Sequence, residues 1–378
     1  MSYLTSLFRM TNYWWELIWL FAAGAFFFFV KHERTEIEPI TGRQVRRWEP
    51  WAAALLVLPL FLWAGFRSLG VGDTYAYRAG FLATPSSVSG WAEYLESSTK
   101  DQGFSVLSMM IKLFIGDSPT IYFLIIAALQ IGCLTYTLRK YTGNFWLAVF
   151  FFVAATDYIE WMHNGMRQFL AVTVIFAATT FIVKRQFVPA VLMVLLASTF
   201  HQSALLMLPV IFIIQGKAFN KVTLLCIAAA VVILLFADQF TDLLDTLMSD
   251  TQYSDAVSDW TSFNDDGTNP IRVLVYAVPT ILALVGYRQI RAADNPVINL
   301  CVNAGVITTA LGIVAVGTSG IYMGRLPIYV SLYSNCILLP WELENLFTKQ
   351  SGRIMKVLAV GFYIAFFYYQ MHVAWGLI

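Results

Sequence analysis

The chain has 378 residues, of which 58% are hydrophobic, 16% aromatic and only 12% charged. Soluble globular proteins carry about 25% charged residues, so this composition excludes a soluble binding module and reads as a polytopic membrane protein. A formal net charge of +1 gives no reason to expect nucleic acid as a partner.

In hydrocarbon every backbone polar group must be satisfied within its own segment, so the apolar runs are expected as helices of one all-α bundle. In chain order they fall at 13–30, 50–66, 119–138, 144–160, 168–184, 187–200, 203–216, 222–237, 271–288, 297–316, 323–341 and 354–376, about 12 transmembrane helices. The first has Arg9 before it and no small-residue cleavage site, which predicts a retained span rather than a signal peptide. Two runs, 187–200 and 203–216, are short for spans of about 20 residues. Either they are tilted or they meet at a break within the membrane. Residues 104–115 are shorter still and contain Lys112, which predicts an interfacial or re-entrant helix. The expected organisation is a single integral membrane domain over 1–378, with outward loops at 67–118 and 238–270.

Charge sets the orientation. KHERTEIEPITGRQVRRW holds five Lys and Arg, and the segments around 139–141, 184–186, 216–221, 287–291 and 349–356 add eleven. These sixteen of the twenty-four basic residues fall in alternate loops if both termini face outward. The stretch from Asp238 to Pro270 carries eight aspartates and no Lys or Arg, and falls on the opposite side. A solvated acidic lid describes it better than a calcium loop, whose D-x-[DN]-x-[DN]-G pattern is missing.

Several of the remaining basic residues sit in four outward patches. FRSLGVGDTYAYRAGF (66–81) contributes Arg67, Asp73, Tyr75, Tyr77 and Arg78. EWMHNGMRQ (160–168) contributes Glu160, His163, Arg167 and Gln168. STFHQSA (198–204) contributes His201, Gln202 and Ser203, and GTSGIYMGRLPIYV (317–330) contributes Arg325. A planar guanidinium binds phosphate through paired hydrogen bonds and keeps its charge at any physiological pH. Two or three of them can stabilise a diphosphate leaving group without a metal. An acceptor hydroxyl also needs a general base, for which Asp73, His201, His163 and Glu160 are the candidates.

Plainer readings compete. Arg67 and Arg167 could be snorkelling interfacial anchors, and His201 a neutral residue at a helix break. His163 could be structural, Glu160 could pair with Arg167, and Tyr75 and Tyr77 could belong to an interfacial aromatic belt. The four cysteines, Cys133, Cys226, Cys301 and Cys336, lie singly in apolar runs and suit packing better than a metal or disulfide framework. No nucleotide-binding, zinc or nucleophile-elbow motif occurs, and no long internal repeat of the kind found in many transporters.

The order of four stretches, Gly-Asp-Thr-x-x-Tyr at 72–77, Asn-Gly-Met-Arg-Gln at 164–168, Phe-His-Gln-Ser-Ala at 200–204 and a late Arg325, resembles the EpsG family of bacterial Wzy-type polysaccharide polymerases. The resemblance covers roughly Arg67 to Tyr329. It implies a multi-spanning glycosyltransferase with a GT-C-like bundle in the bacterial cytoplasmic membrane. Such an enzyme extends O-antigen, capsule or exopolysaccharide on the extracytoplasmic side. Its partners would be undecaprenyl-diphosphate-linked donor and acceptor glycans, the bilayer and, in some systems, a chain-length regulator, with no cofactor. Carried over by residue, Asp73, Arg167, Gln168, His201 and Ser203 fall in the matching stretches, and Arg325 matches the late arginine. One departure stands out. Many family members carry a Glu ahead of a Gly-Phe pair, whereas Gly103-Phe104 follows Lys-Asp-Gln here; if that acid is a catalytic group, Asp101 would have to replace it.

The expected reaction is therefore transfer of a lipid-diphosphate-linked chain onto the hydroxyl of a fresh lipid-linked repeat unit. Arg167, Arg67 and Arg325 would hold the donor diphosphate, while His201 or Asp73 deprotonates the acceptor. The alternative is a flippase for the same lipid-linked glycans, and a membrane O-acyltransferase is a third class.

Overall fold

In the computed structural model, residues 9–38, 40, 42, 44–98, 100–248 and 267–376 are described. Helix α1 (Trp15–Phe29) leads into an antiparallel hairpin, β1 (Glu33–Ile37) and β2 (Gln44–Trp48). There follow α2 (Pro50–Gly65), α3 (Thr74–Ala83), α4 (Trp91–Ser97), α5 (Gln102–Ile115) and α6 (Pro119–Tyr141). Next come α7 (Phe145–Ala154), α8 (Asp157–His163), α9 (Met166–Ala177), α10 (Thr179–Val183) and α11 (Phe187–Phe200). A 3-10 turn, Gln202–Leu206, connects to α12 (Met207–Ile213), α13 (Lys221–Leu235) and α14 (Ala237–Met248). The last group is α15 (Pro270–Val285), α16 (Tyr287–Ala293), α17 (Pro296–Gly317), α18 (Ile328–Leu332), α19 (Leu339–Asn345) and α20 (Lys349–Tyr368).

The sequence punctuates these helices by familiar chemistry. Asn144, Asn220, Asn269 and Asn295 each accept a backbone N–H one to three residues into the following helix, satisfying donors that have no intrahelical partner. Pro50, Pro119, Pro270 and Pro296 stand at helix starts, where a missing N–H costs nothing. Large apolar side chains point outward along the helices, among them Phe114 at 82% exposure and Leu235 at 72%. In water such faces would be costly; in lipid they are the expected surface.

The chain divides into two compact units, one running to Leu206 and including the segment from Lys349, the other Met207–Thr348. In the first, α6 is the spine and packs against α2 and α9, while α7 packs against α1 and α20. Buried aromatics fill it: Phe150, Phe151 and Phe152 from one run, and Phe81 stacked on Tyr122 at 4.2 Å. In the second, α17 lies against α13, α15 and the π-helical turn Tyr333–Leu338. Its Asn303 donates to the carbonyls of Ile214 and Lys217, closing the loop before α13.

Three expectations change. The chain is not wholly α-helical, because the basic segment after α1 folds into the 33–48 hairpin. There Glu36 bonds Arg34 and Arg139, and Glu38 and Glu36 pair with Arg47. Among the described residues three helices are long and apolar enough to cross a membrane, Pro119–Tyr141, Pro296–Gly317 and Lys349–Ala374. The number rises to six if each bent pair counts as one span, so the twelve expected spans are not found as such. Hydropathy cannot see the breaks: α7 and α8 meet at 70°, where Thr156 takes a positive φ of 65°, and Pro270–Val285 and Tyr287–Ala293 meet at 73°. The expected span 168–184 is likewise divided between α9 and α10. The third change concerns the loops. Segment 67–118 contains three helices, α3, α4 and α5, and the acidic segment begins as α14. Residues 249–266, which hold the rest of the expected acidic lid, lie outside the described residues. The short helix expected at 104–115 is present as α5, with Lys112 buried against the carbonyl of Leu82 and paired with Asp117.

Candidate functional site

Three of the four patches expected to share a site meet in the first unit. They meet at the N-terminal ends of α3, α5 and α9 and the C-terminal end of α11. Gly72 makes the first contact possible: its φ is +48°, and a Cβ there would lie 2.9 Å from Cβ of Asn164. Only glycine takes both the conformation and the close approach. The backbone N–H of Asp73 then donates to Oδ1 of Asn164, and the Tyr77 hydroxyl donates to the Asn164 carbonyl. Nδ2 of Asn164 in turn donates to Glu160. Asn164 thus clamps the Gly-Asp-Thr turn onto the junction of α8 and α9.

Arg167 stands in the first turn of α9, whose N-cap, Gly165, has no side chain with which to cap the helix. One guanidinium nitrogen lies 3.0 Å from Oδ2 of Asp101, and the group sits over the Tyr77 ring at 5.9 Å. Asp101 precedes α5 with a left-handed φ of 52°, and its second oxygen accepts from the backbone N–H of Gln202. Burial pushes the Asp101 carboxyl above its ordinary value, against the opposing pull of Arg167. Gly103 lets α5 and α11 touch: a Cβ there would fall 2.1 Å from Oγ1 of Thr199. Next to it, Nδ1 of His201 lies 2.7 Å from Oγ of Ser203, and Gln168 donates to the same hydroxyl at 3.4 Å.

Arg67 occupies a different layer. It is 4% exposed, donates to the carbonyls of Ala64 and His163, and lies over the Phe123 ring at 4.8 Å. Burial lowers its pKa to about 10, offset in part by Tyr77 and Tyr122, so it remains a cation at neutral pH. A snorkelling anchor would reach solvent; Arg67 does not. It ties the end of α2 to the α8–α9 junction, and its Nη2 has no hydrogen-bond partner among the described residues. His163 is also enclosed, at 1% exposure, with Nδ1 against the Ile159 carbonyl at 2.8 Å. Asp73 and Arg78 are exposed at the start and on the flank of α3, and Gln202 is exposed above Asp101. Arg325 belongs to the second unit, half-buried on the 3-10 turn Met323–Arg325. Among the described residues, no three His, Cys, Asp or Glu side chains group closely enough to hold a metal ion.

Two contributors were under-read from the sequence. Asn164 sits in the Asn-Gly-Met-Arg-Gln stretch, but nothing in that stretch says that it would cap a turn more than eighty residues earlier. Asp101 carried only the weak signal of an acid near Gly-Phe. Its value comes from the pair with Arg167, a contact across sixty-six positions of sequence.

The spine separates this site from the basic hairpin. Tyr122 and Phe123 near the start of α6 pack against Phe81 and Arg67, whereas Arg139 near its end bonds Trp48 and Glu36 of the hairpin. Tyr122 and Arg139 are about 26 Å apart along the axis of this one helix, which approaches the roughly 30 Å thickness of a bilayer's hydrocarbon core. Comparison with curated proteins and with solved structures gives no match. The sequence model of the EpsG family matches residues 51–376. With the match covering most of its length, the chain is a polytopic membrane protein that belongs to the EpsG family, a polysaccharide-polymerase-like group.

Proposed function

We propose that the chain polymerises glycans carried on undecaprenyl diphosphate at the extracytoplasmic face of the cytoplasmic membrane. The observation that carries this reading is Arg167: a guanidinium at an uncapped helix start, beside Tyr77 and held by the buried carboxylate of Asp101. The positive end of the helix dipole favours an anion at that place. The donor diphosphate takes Arg167 in exchange for Asp101, and Gln168 supports it. The hydroxyl oxygen of the acceptor glycan then attacks the anomeric carbon of the donor. The bond from that carbon to the diphosphate oxygen breaks, and the electron pair leaves with the diphosphate against Arg167. The acceptor proton passes to the released Asp101 carboxylate, whose burial strengthens it as a base. His201, fixed by Ser203, and the partly exposed Tyr77 orient the acceptor sugar. Asp73 and His201 are thereby assigned to binding rather than to proton transfer.

The purified protein, supplied with lipid-linked repeat units, is expected to give a ladder of longer products. A folded protein that yields no ladder with its correct substrate removes the claim. Substrate confined to the outer leaflet suffices for a polymerase, whereas a flippase would move it across without lengthening it. Arg167→Ala is expected to reduce transfer by roughly 100- to 1,000-fold, as loss of one charge-stabilising donor does, while leaving the protein folded. Undiminished turnover would refute the phosphate role.

A further inference from the structure

At the other end of the first unit, the end of α1 and the hairpin line an open cavity of about 350 Å³, within the volume range of small-ligand sites. We infer that this cavity holds the phosphate headgroup of an anionic membrane lipid. This rests on the hairpin and the end of α1 and is independent of the polymerase reading.

The strand register shapes the cavity. Thr35 lies opposite Arg46, and both belong to the hairpin face that also carries Glu33, whereas Arg34 and Arg47 form the neighbouring cross-strand pair. That second pair sets two like charges side by side, which is unfavourable unless neutralised. The carboxylates of the hairpin are committed there: Glu36 and Glu49 to Arg34, and Glu36 and Glu38 to Arg47. Among the described residues, no carboxylate lies within ion-pair distance of Lys31 or Arg46. Both line the cavity. The negative end of the α1 dipole accounts for Lys31, a cation just past a helix C-terminus. It does not account for Arg46, which comes from the second strand. One lining carboxylate, Glu33, stands 4.0 Å from the His32 imidazole. The cavity therefore presents Lys31, Arg46 and the Thr35 hydroxyl against a single acid, with His32 and the carboxylate-paired Arg34 also on its wall, a donor set suited to a phosphate.

The apolar wall selects the source of that phosphate. Phe28 and Phe29 line the same cavity and are each 84% exposed, at the C-terminal end of the apolar helix α1. Acyl chains can cover these rings; a free phosphate ion cannot. A juxtamembrane basic pocket gains about fivefold in affinity per Lys or Arg from an anionic lipid.

The test uses the full chain in phosphatidylcholine nanodiscs with or without phosphatidylglycerol, reading the unfolding temperature and the lipid retained in native mass spectrometry. Phosphatidylglycerol is expected to raise the unfolding temperature of the wild type and to remain bound. Lys31→Gln with Arg46→Gln should abolish both effects, with a change of at least tenfold in lipid retention, and leave the unfolding temperature in pure phosphatidylcholine unchanged. Lys184→Gln, at an exposed basic position away from the cavity, should keep both effects. If Lys184→Gln removes them equally, the attraction is diffuse and the site is refuted. Inorganic phosphate added to phosphatidylcholine nanodiscs should give no rise; an equal rise would identify a free-anion site and overturn the lipid assignment. Should the double variant be unstable in phosphatidylcholine alone, Phe28→Ser with Phe29→Ser gives a second reading. Retention equal to wild type would then overturn the proposal.

Discussion

Gly103→Ala probes the architecture of the candidate site without touching a charged group. The new Cβ would stand 2.1 Å from Oγ1, 2.4 Å from Cβ and 2.9 Å from the backbone carbonyl carbon of Thr199. Carbon atoms rest at about 3.5–4.0 Å, so α5 and α11 must part by roughly 1 Å or more. Rotating the threonine side chain relieves only the first clash, because Cβ and the backbone stay in place. Overpacking of this kind costs about 1–3 kcal/mol. The same displacement pulls Asp101, two residues before Gly103, away from the Gln202 N–H, which is 3.2 Å distant in the native arrangement. A misplacement of about 1 Å near reacting groups lowers turnover by roughly 100-fold. The assay is a double-mutant cycle of Gly103→Ala and Thr199→Gly, reading chemical unfolding in detergent and the rate of product laddering. Thr199→Gly alone should cost less than about 1 kcal/mol beyond its lost contacts, since it opens the space that alanine needs. The double variant should be more stable than the sum of the single effects by about 1 kcal/mol or more. Strict additivity, or an alanine variant with native stability and turnover, would refute the close approach of the two helices.

Asp101→Asn is expected to lower transfer by about 100-fold or more. Because burial raises the Asp101 carboxyl, wild-type turnover should rise as pH climbs through that raised value and level off above it. The asparagine variant should lose this acid limb, and a residual rate that keeps it would assign the base elsewhere. His163→Ala should act on stability, by roughly 2–4 kcal/mol for an enclosed ring, with per-molecule turnover retained; native stability with lost turnover would make His163 catalytic after all. In the hairpin, burial favours protonated Glu36, but the bonds and charges of Arg34 and Arg139 outweigh it and lower the carboxyl. A lowered acid contributes stability above its unfolded value and loses it as pH falls through the folded one. Glu36→Gln should therefore be less stable than wild type by about 1 kcal/mol at neutral pH. The difference should close as pH falls from the ordinary Glu value down through the lowered one, which a pH series of unfolding midpoints would check.

Much of the site was written locally. Arg167, Gln168, His201 and Ser203 lie in short stretches whose residue types stand out against the surrounding hydrocarbon, and composition alone is enough to identify a membrane protein. The charge pattern likewise separated the basic segment after α1 from the patch around Arg67, and the structure sets these two at opposite ends of α6. What tertiary structure decided were relations at long range. Arg67 and Arg167 look alike in sequence, yet one is sealed under the α8–α9 junction and the other stands half-exposed over Tyr77. Asp101 became the partner of Arg167 only because Gly103 admits Thr199 at close range, and Asn164 found Asp73 only through the positive φ of Gly72. Hydropathy failed at Thr156 for the same reason. Apolar composition fixes what a segment dissolves in, whereas the direction of the chain depends on backbone dihedrals and on contacts made across the fold.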